Sequence, residues 1–152
     1  MLRLHRVCRA RYAKLDGEGA KLAGGRWNSP GNAVVYLAES LSLAVLENLV
    51  HMDRRNFPSN YVHLMAHIPD LIEIATEDQL RAEAPPSIKT TQSLGDYWLH
   101  QGNSPILKVR SHVVPLEHNF LLNPAHPKFD LIRVDPPVPF NFDSRLFPGP
   151  RT

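Results

Sequence analysis

Five residues in this chain could together bind an anion and stabilise a developing cation: Arg6, Arg26, Tyr36, Glu47 and Ser111. Arg26 follows Gly24 and Gly25 and precedes Trp27, Asn28 and Ser29. A guanidinium beside two glycines meets little steric obstruction, and arginine can hold phosphate oxygens in a bidentate fork. Glu47 has Leu43, Ala44 and Val50 at helical spacing, so its carboxylate does not lie on an ordinary solvated face. A buried, unpaired carboxylate costs several kcal/mol or shifts its pKa, so Glu47 needs a partner, and an arginine would serve. Each residue alone has a plainer explanation. Arg26 could be a surface arginine in a turn, and Glu47 half of a structural ion pair. Tyr36 could be core, Ser111 a tolerated small residue, and Arg6 could reach past a sheet edge. Together they would leave several core-facing polar side chains unexplained unless they share a site.

The elements that must position these residues are readable from periodicity. Residues 2–8 alternate, with Leu2, Leu4, Arg6 and Cys8 on one face of a strand. Residues 16–25 contain four glycines and read as a loop, and 28–32 carry a turn signal. Residues 33–38 are β-branched and apolar, predicting a strand that carries Tyr36. Ser40 is the expected N-cap of a helix over 41–52 that carries Glu47. Further strands are expected over 61–68, 71–74, 106–114 and 129–134, with short helices over 76–84 and 93–101. Ser111 falls on the 106–114 strand, on the face of Leu107, Val109 and Val113. Fourteen prolines, many after Asn123, predict a C-terminal part ordered by docking, with 136–152 as a proline-rich tail and candidate contact surface. Without regular βα alternation, the pattern favours α+β.

Composition narrows the function. At 152 residues the expectation is one domain over 1–152 with a substantial core. A net charge of +2 with scattered basic residues does not give the clustered face of a nucleic-acid binder. No apolar run reaches the ~18 residues needed to span a bilayer, and the N-terminus lacks a signal segment. A cytoplasmic protein that binds neither membrane nor nucleic acid directly is expected. Cys8 is the single cysteine, which excludes an internal disulfide and a cysteine metal cluster, and it reads as inert packing. His63 and His67 sit on a strand, where they cannot share one face a helical turn apart as a zinc pair would. The glycine run lacks the Gly-Lys-Ser/Thr ending of a phosphate loop and the order of a dinucleotide fingerprint.

Taken in order, Arg6, Gly17-Glu18-Gly19-Ala20, Gly24-Gly25-Arg26-Trp27-Asn28-Ser29-Pro30-Gly31, Val34-Val35-Tyr36-Leu37-Ala38-Glu39-Ser40 and Leu43-Ala44-Val45-Leu46-Glu47 resemble the RES domain family. So do Lys108-Val109-Arg110-Ser111, Asn119-Phe120-Leu121-Leu122-Asn123-Pro124 and His126-Pro127. Arg26, Glu47 and Ser111 look like the arginine, glutamate and serine of the family name. Arg110 departs from the pattern, which has a proline before the serine.

The resemblance implies an ADP-ribosyltransferase-like fold of the diphtheria-toxin type, with a central split β-sheet flanked by short helices. It implies the toxin half of a bacterial type II toxin–antitoxin pair that consumes NAD⁺ as substrate, by hydrolysis, phosphorolysis or ADP-ribosyl transfer to a protein. It also implies an Xre-type helix-turn-helix antitoxin that blocks the NAD⁺ site, and a homodimer within the toxin–antitoxin complex. In this frame Glu47 stabilises the oxocarbenium-like transition state of glycosidic cleavage. Arg26 and Arg6 hold the pyrophosphate, and Gly25 belongs to the same substrate-binding set. Tyr36 stacks on the cationic nicotinamide ring, and Ser111 orients Glu47 or the ribose. Trp27, Asn28 and Ser29 line the adenosine side. The leaving group departs as neutral nicotinamide, so no metal or other cofactor is expected. The rival readings are an RNA-cleaving toxin with His51 or His112 as general base and a non-catalytic nucleotide-binding module.

Overall fold

A single curved sheet sets the geometry of the chain. The computed structural model describes residues 1–148. Its strands are β1 (Leu2–Arg9), β2 (Val35–Ala38), β3 (Tyr61–Ile68), β4 (Ile74–Thr76), β5 (Ile106–Arg110), β6 (His118–Leu122), β7 (Arg133–Val134) and β8 (Val138–Phe140). The helices are α1 (Glu18–Ala23), α2 (Leu41–Leu49), α3 (Glu77–Glu83) and α4 (Thr91–Gln101). The strand order is β4-β5-β6-β2-β1-β3-β7, with β8 also paired to β3.

The sheet is split at its middle. β1 pairs with β3 along its whole length, from Leu2 opposite Ile68 to Arg9 opposite Tyr61. It meets β2 only where His5 faces Ala38. Beyond that point β1 and β2 diverge, and their facing backbone groups need other partners. The expected α+β architecture with a split central sheet is therefore present.

Alternation along the strands builds two cores on opposite faces. Leu4, Leu37, Ile106, Phe120 and Leu122 belong to one cluster. Leu107, Val109 and Leu121 turn the other way and pack with Trp27, Leu94 and Trp98 under α3 and α4. A third cluster packs Leu43 and Ala44 of α2 against Val7, Ala38, Phe142 and Phe147. Helix α2 starts where Ser40 accepts a hydrogen bond from the Leu43 N–H at 3.1 Å, a cap worth about 1 kcal/mol. Helix α3 carries a full capping box between Thr76 and Gln79.

Several sequence expectations change. Residues 16–25 are not all loop. Gly17 and Gly24, both at φ 74°, bracket the short α1, and their left-handed backbone lets the chain turn at either end. The strand expected to 114 ends at Arg110, because the chain turns there and Ser111 caps the turn. In place of a strand over 129–134 there is a 3₁₀ turn, Pro127–Leu131, followed by the two-residue β7. β6 was not anticipated. The proline-rich tail is not simply a contact surface, since β8 pairs with β3 and Phe142 and Phe147 are buried. Residues 149–152 of that tail lie outside the described residues. No helix among the described residues is long and apolar enough to cross a membrane.

Candidate active site

The divergence of β1 and β2 opens a cleft of about 1160 Å³. Arg6 of β1, Gly25, Arg26, Tyr36 of β2, Glu47 of α2 and Asn119 of β6 contribute to its lining. Segments far apart in sequence thus bring two guanidiniums, an aromatic ring and a carboxylate to one cavity.

Glu47 is half-buried on the inner face of α2, next to the buried Leu43 and Ala44. Val50 and His51, expected beside it, are exposed. Its partner is not an arginine. Ser111 Oγ donates to Glu47 Oε1 at 2.7 Å, and Asn119 Nδ2 donates to the same oxygen at 2.9 Å. Both bonds are charge-assisted and fix the carboxylate plane. Among the described residues Glu47 has no salt bridge, and Oε2 takes no hydrogen bond from the protein. The carboxylate is therefore anchored through one oxygen while the other remains available in a cleft. Ser111 is 1% exposed and its oxygen also accepts the N–H groups of Val113 and Val114 at 3.1 and 2.9 Å. Ser111 therefore acts on Glu47 and does not line the cleft. Asn119 was part of a recognised motif, but its role was not legible, because its contact with Glu47 spans 72 residues on an unforeseen strand.

Arg6 reaches across the split. Its Nη1 donates to the Tyr36 carbonyl at 3.0 Å, satisfying a group that β1 no longer pairs. Its Nε is buried and, among the described residues, is the only buried side-chain nitrogen or oxygen without a partner. Leaving that donor unpaired is an exception among buried polar groups, and Arg6 itself contributes to the cleft lining.

Tyr36 holds the neighbouring turn. Its hydroxyl accepts the Trp27 N–H at 3.0 Å and donates to Asn28 Oδ1 at 2.7 Å. Burial pushes the phenol up to about 12, so it remains a donor at every physiological pH. A Cβ on Gly25 would lie 2.8 Å from the Tyr36 oxygen, which explains the glycine. Arg26 is exposed beside it and turns into the cleft, while Trp27 is buried and contributes to the cleft wall.

Asn28 and Ser29 are corrected. Asn28 is fully buried, and its Nδ2 donates to the carbonyls of Ala20 and Asn32 at 2.8 and 2.9 Å. Ser29 bonds Asp96 through both its N–H and its hydroxyl. Neither lines the cleft, because their polar groups are taken up by tertiary partners: Ala20 and Tyr36 for Asn28, Asp96 for Ser29. They shape the Arg26 loop.

The histidines of β3 serve separate pairs. His63 stacks on His5, with ring nitrogens 3.1 Å apart, and burial lowers the pKa of both, His63 itself adding to the lowering of His5. His67 meets Asp135 at 2.9 Å. Cys8 is buried. His51 and His112 border the cleft near Glu47.

The RES domain matches residues 3–143. The chain belongs to the RES domain family. This RES-domain chain is 37% identical over 138 residues to the Prs ADP-ribosylating toxin of Sphingobium sp. (strain YBL2), covering 87% of this chain and 86% of that one. It is 38% identical over 149 residues to Toxin Res of Yersinia enterocolitica, covering 94% of this chain and 98% of that one. Its fold is similar to the M. tuberculosis MbcT–MbcA toxin–antitoxin complex, with a TM-score of 0.69 at 17% identity over 91% of this chain and 84% of that one.

Proposed function

We propose that this RES-domain protein is the toxin of a toxin–antitoxin pair, and that it consumes NAD⁺ by breaking the nicotinamide N-glycosidic bond. The observation that carries the reading is the Glu47 carboxylate, with one oxygen anchored by Ser111 and Asn119 and the other without a protein partner beside a cleft. That is the arrangement a glycosidic transition state needs, because positive charge grows on the ribose as the bond to nitrogen lengthens. Oε2 would hydrogen-bond a ribose hydroxyl and stabilise that charge. Arg6 and Arg26, which both contribute to the cleft lining, would hold the pyrophosphate. The ring of Tyr36 would face the pyridinium, and the electron pair of the broken C–N bond would leave with the ring as neutral nicotinamide. The acceptor oxygen of water, phosphate or a protein side chain would then bond the ribose carbon and release its proton.

The names of the relatives, an ADP-ribosylating toxin among them, and the toxin–antitoxin fold neighbour support the toxin assignment. The proposed partner is an Xre-type helix-turn-helix antitoxin that covers the cleft, and the proposed setting is the cytoplasm. A ribonuclease reading would use His51 and His112, but it leaves the anchored Glu47 without a task. The test is purified protein with NAD⁺, with and without inorganic phosphate, followed by chromatography of nicotinamide and of the ADP-ribose product. Nicotinamide release supports the reading, and the phosphate-dependent product identifies the acceptor. Intact NAD⁺ under both conditions, with cleavage of RNA, would replace it.

A further inference from the structure

The loop over 24–32 that presents Arg26 is fastened along one side by helix α4. Thr91 Oγ1 donates to the Arg26 carbonyl at 2.8 Å. Gln92 Nε2 donates to the carbonyls of Asn28 and Gly25 at 3.0 and 3.3 Å. The Asp96 carboxylate accepts the Ser29 N–H at 3.0 Å, the Ser29 hydroxyl at 2.6 Å and Asn32 Nδ2 at 2.9 Å. Thr91 and Gly95, and Gln92 and Asp96, are one helical turn apart, so both rows face the loop. Gly95 permits the close approach, since any Cβ there would overlap the Trp27 carbonyl. Among the described residues Asp96 has no salt bridge, and the hydrogen bonds it accepts all come from three donors of this one loop.

We propose that Gln92 and Asp96, with Thr91, are positioning residues that hold Arg26 in place for the pyrophosphate of the substrate. This rests on the NAD⁺ reading above. The physical reason is preorganisation. An exposed arginine on a free nine-residue loop must be ordered at each binding event, whereas one mounted on a latched loop has already lost that freedom. The latch touches the backbone on both sides of Arg26 and leaves its side chain free to meet the ligand. The hydrogen bonds that hold Glu47 come from Ser111 and Asn119 and not from the latch, so the latch governs binding and not the chemical step.

The test is a double-mutant cycle on nicotinamide release, together with hydrogen exchange of the loop amides. Asp96→Ala should raise KM for NAD⁺ about tenfold, the scale of one lost charge-assisted hydrogen bond, with kcat within about twofold. In an Arg26→Ala background the same substitution should change KM by less than about twofold, because the residue it positions is gone. Amides over 24–32 should exchange faster in Asp96→Ala. Gln92→Ala, an exposed position, gives a second arm if Asp96→Ala does not fold, with a smaller shift in the same direction. Equal KM effects with and without Arg26 would show a merely structural contact and overturn the latch, as would unchanged exchange of the loop. Wild-type protein that leaves NAD⁺ intact would remove the functional reading, and with it the purpose of the latch, while the exchange data would still report whether α4 holds the loop.

Discussion

Substituting Ser111 with alanine separates the anchored carboxylate from every other feature of the site. The change deletes one oxygen at a buried position. That oxygen donates to Glu47 Oε1 at 2.7 Å and accepts two backbone N–H groups. A hydrogen bond to a charged group contributes about 1.5–3 kcal/mol, and the two amides add about 1 kcal/mol between them because their half-buried turn can admit water. The expected loss of stability is therefore roughly 2–4 kcal/mol, or about 4–16 °C in Tm for a chain of this size. Catalysis should fall for a different reason. Glu47 keeps its bond from Asn119 but loses the shorter of its two anchors, so Oε2 is no longer held against the ribose. A kcat loss of about 10–10²-fold is expected, with KM nearly unchanged. Asn119→Ala is the internal comparison. It removes the longer bond while the backbone pairing of β6 stays intact, so it should cost about tenfold in kcat with a smaller change in Tm. The assay is nicotinamide release at saturating NAD⁺, with calorimetry of each variant. Ser111→Ala turning over at the wild-type rate while melting several degrees lower would refute the orienting role and leave Ser111 as a turn cap only.

Three further predictions follow from the same geometry. Burial holds the Tyr36 phenol at about 12, above the unfolded value near 10. Its stabilisation is complete below pH 10 and is lost as pH rises toward 12, by roughly 3 kcal/mol. Denaturant titrations between pH 9 and 12 should show this loss in the wild type and not in Tyr36→Phe, and equal slopes would contradict it. The lowered pKa values of His5 and His63 act with the opposite sign. Their contribution is complete above pH 6.5 and falls away as pH drops through the lowered folded values, so the Tm of the wild type should decline more steeply toward pH 5 than that of His63→Gln. Parallel Tm curves would show that the stacked pair does not govern acid stability. Gly95→Ala would stabilise an ordinary helix by about 1 kcal/mol. Here the new methyl group meets the Trp27 carbonyl, so a net loss of at least about 1–3 kcal/mol is expected, and an unchanged or raised Tm would show that α4 and the Arg26 loop are not in tight contact.

The sequence carried the local half of this site well. Alternation placed Arg6 inward on β1, the Ser40 cap and apolar spacing placed Glu47 on α2, and turn chemistry marked the loop before Tyr36. The long-range half was hidden. Nothing local says that β1 and β2 touch at a single residue pair, yet that divergence makes the cleft. Glu47 called for a partner, and Coulomb reasoning pointed to arginine, but two neutral donors fill the role from residues 64 and 72 positions away. β6 was missed because His118 and Asn119 open it with polar side chains, although Asn119 donates to the Glu47 carboxylate. Glycines concealed α1, whose ends they make possible. Asn28 and Ser29 were expected on the adenosine side of the site, but tertiary contacts with α1, Tyr36 and α4 take up their polar groups away from the cleft.

The central claim is that the free oxygen of an anchored Glu47 drives loss of nicotinamide from NAD⁺. The most direct measurement is nicotinamide release by the wild type and by Glu47→Gln, side by side at saturating NAD⁺. The glutamine can keep its carbonyl toward Ser111 and Asn119, so the fold and NAD⁺ affinity should persist while an uncharged amide faces the ribose. The account predicts turnover lower by about 10²–10³-fold. A folded Glu47→Gln protein that releases nicotinamide as fast as the wild type would contradict it.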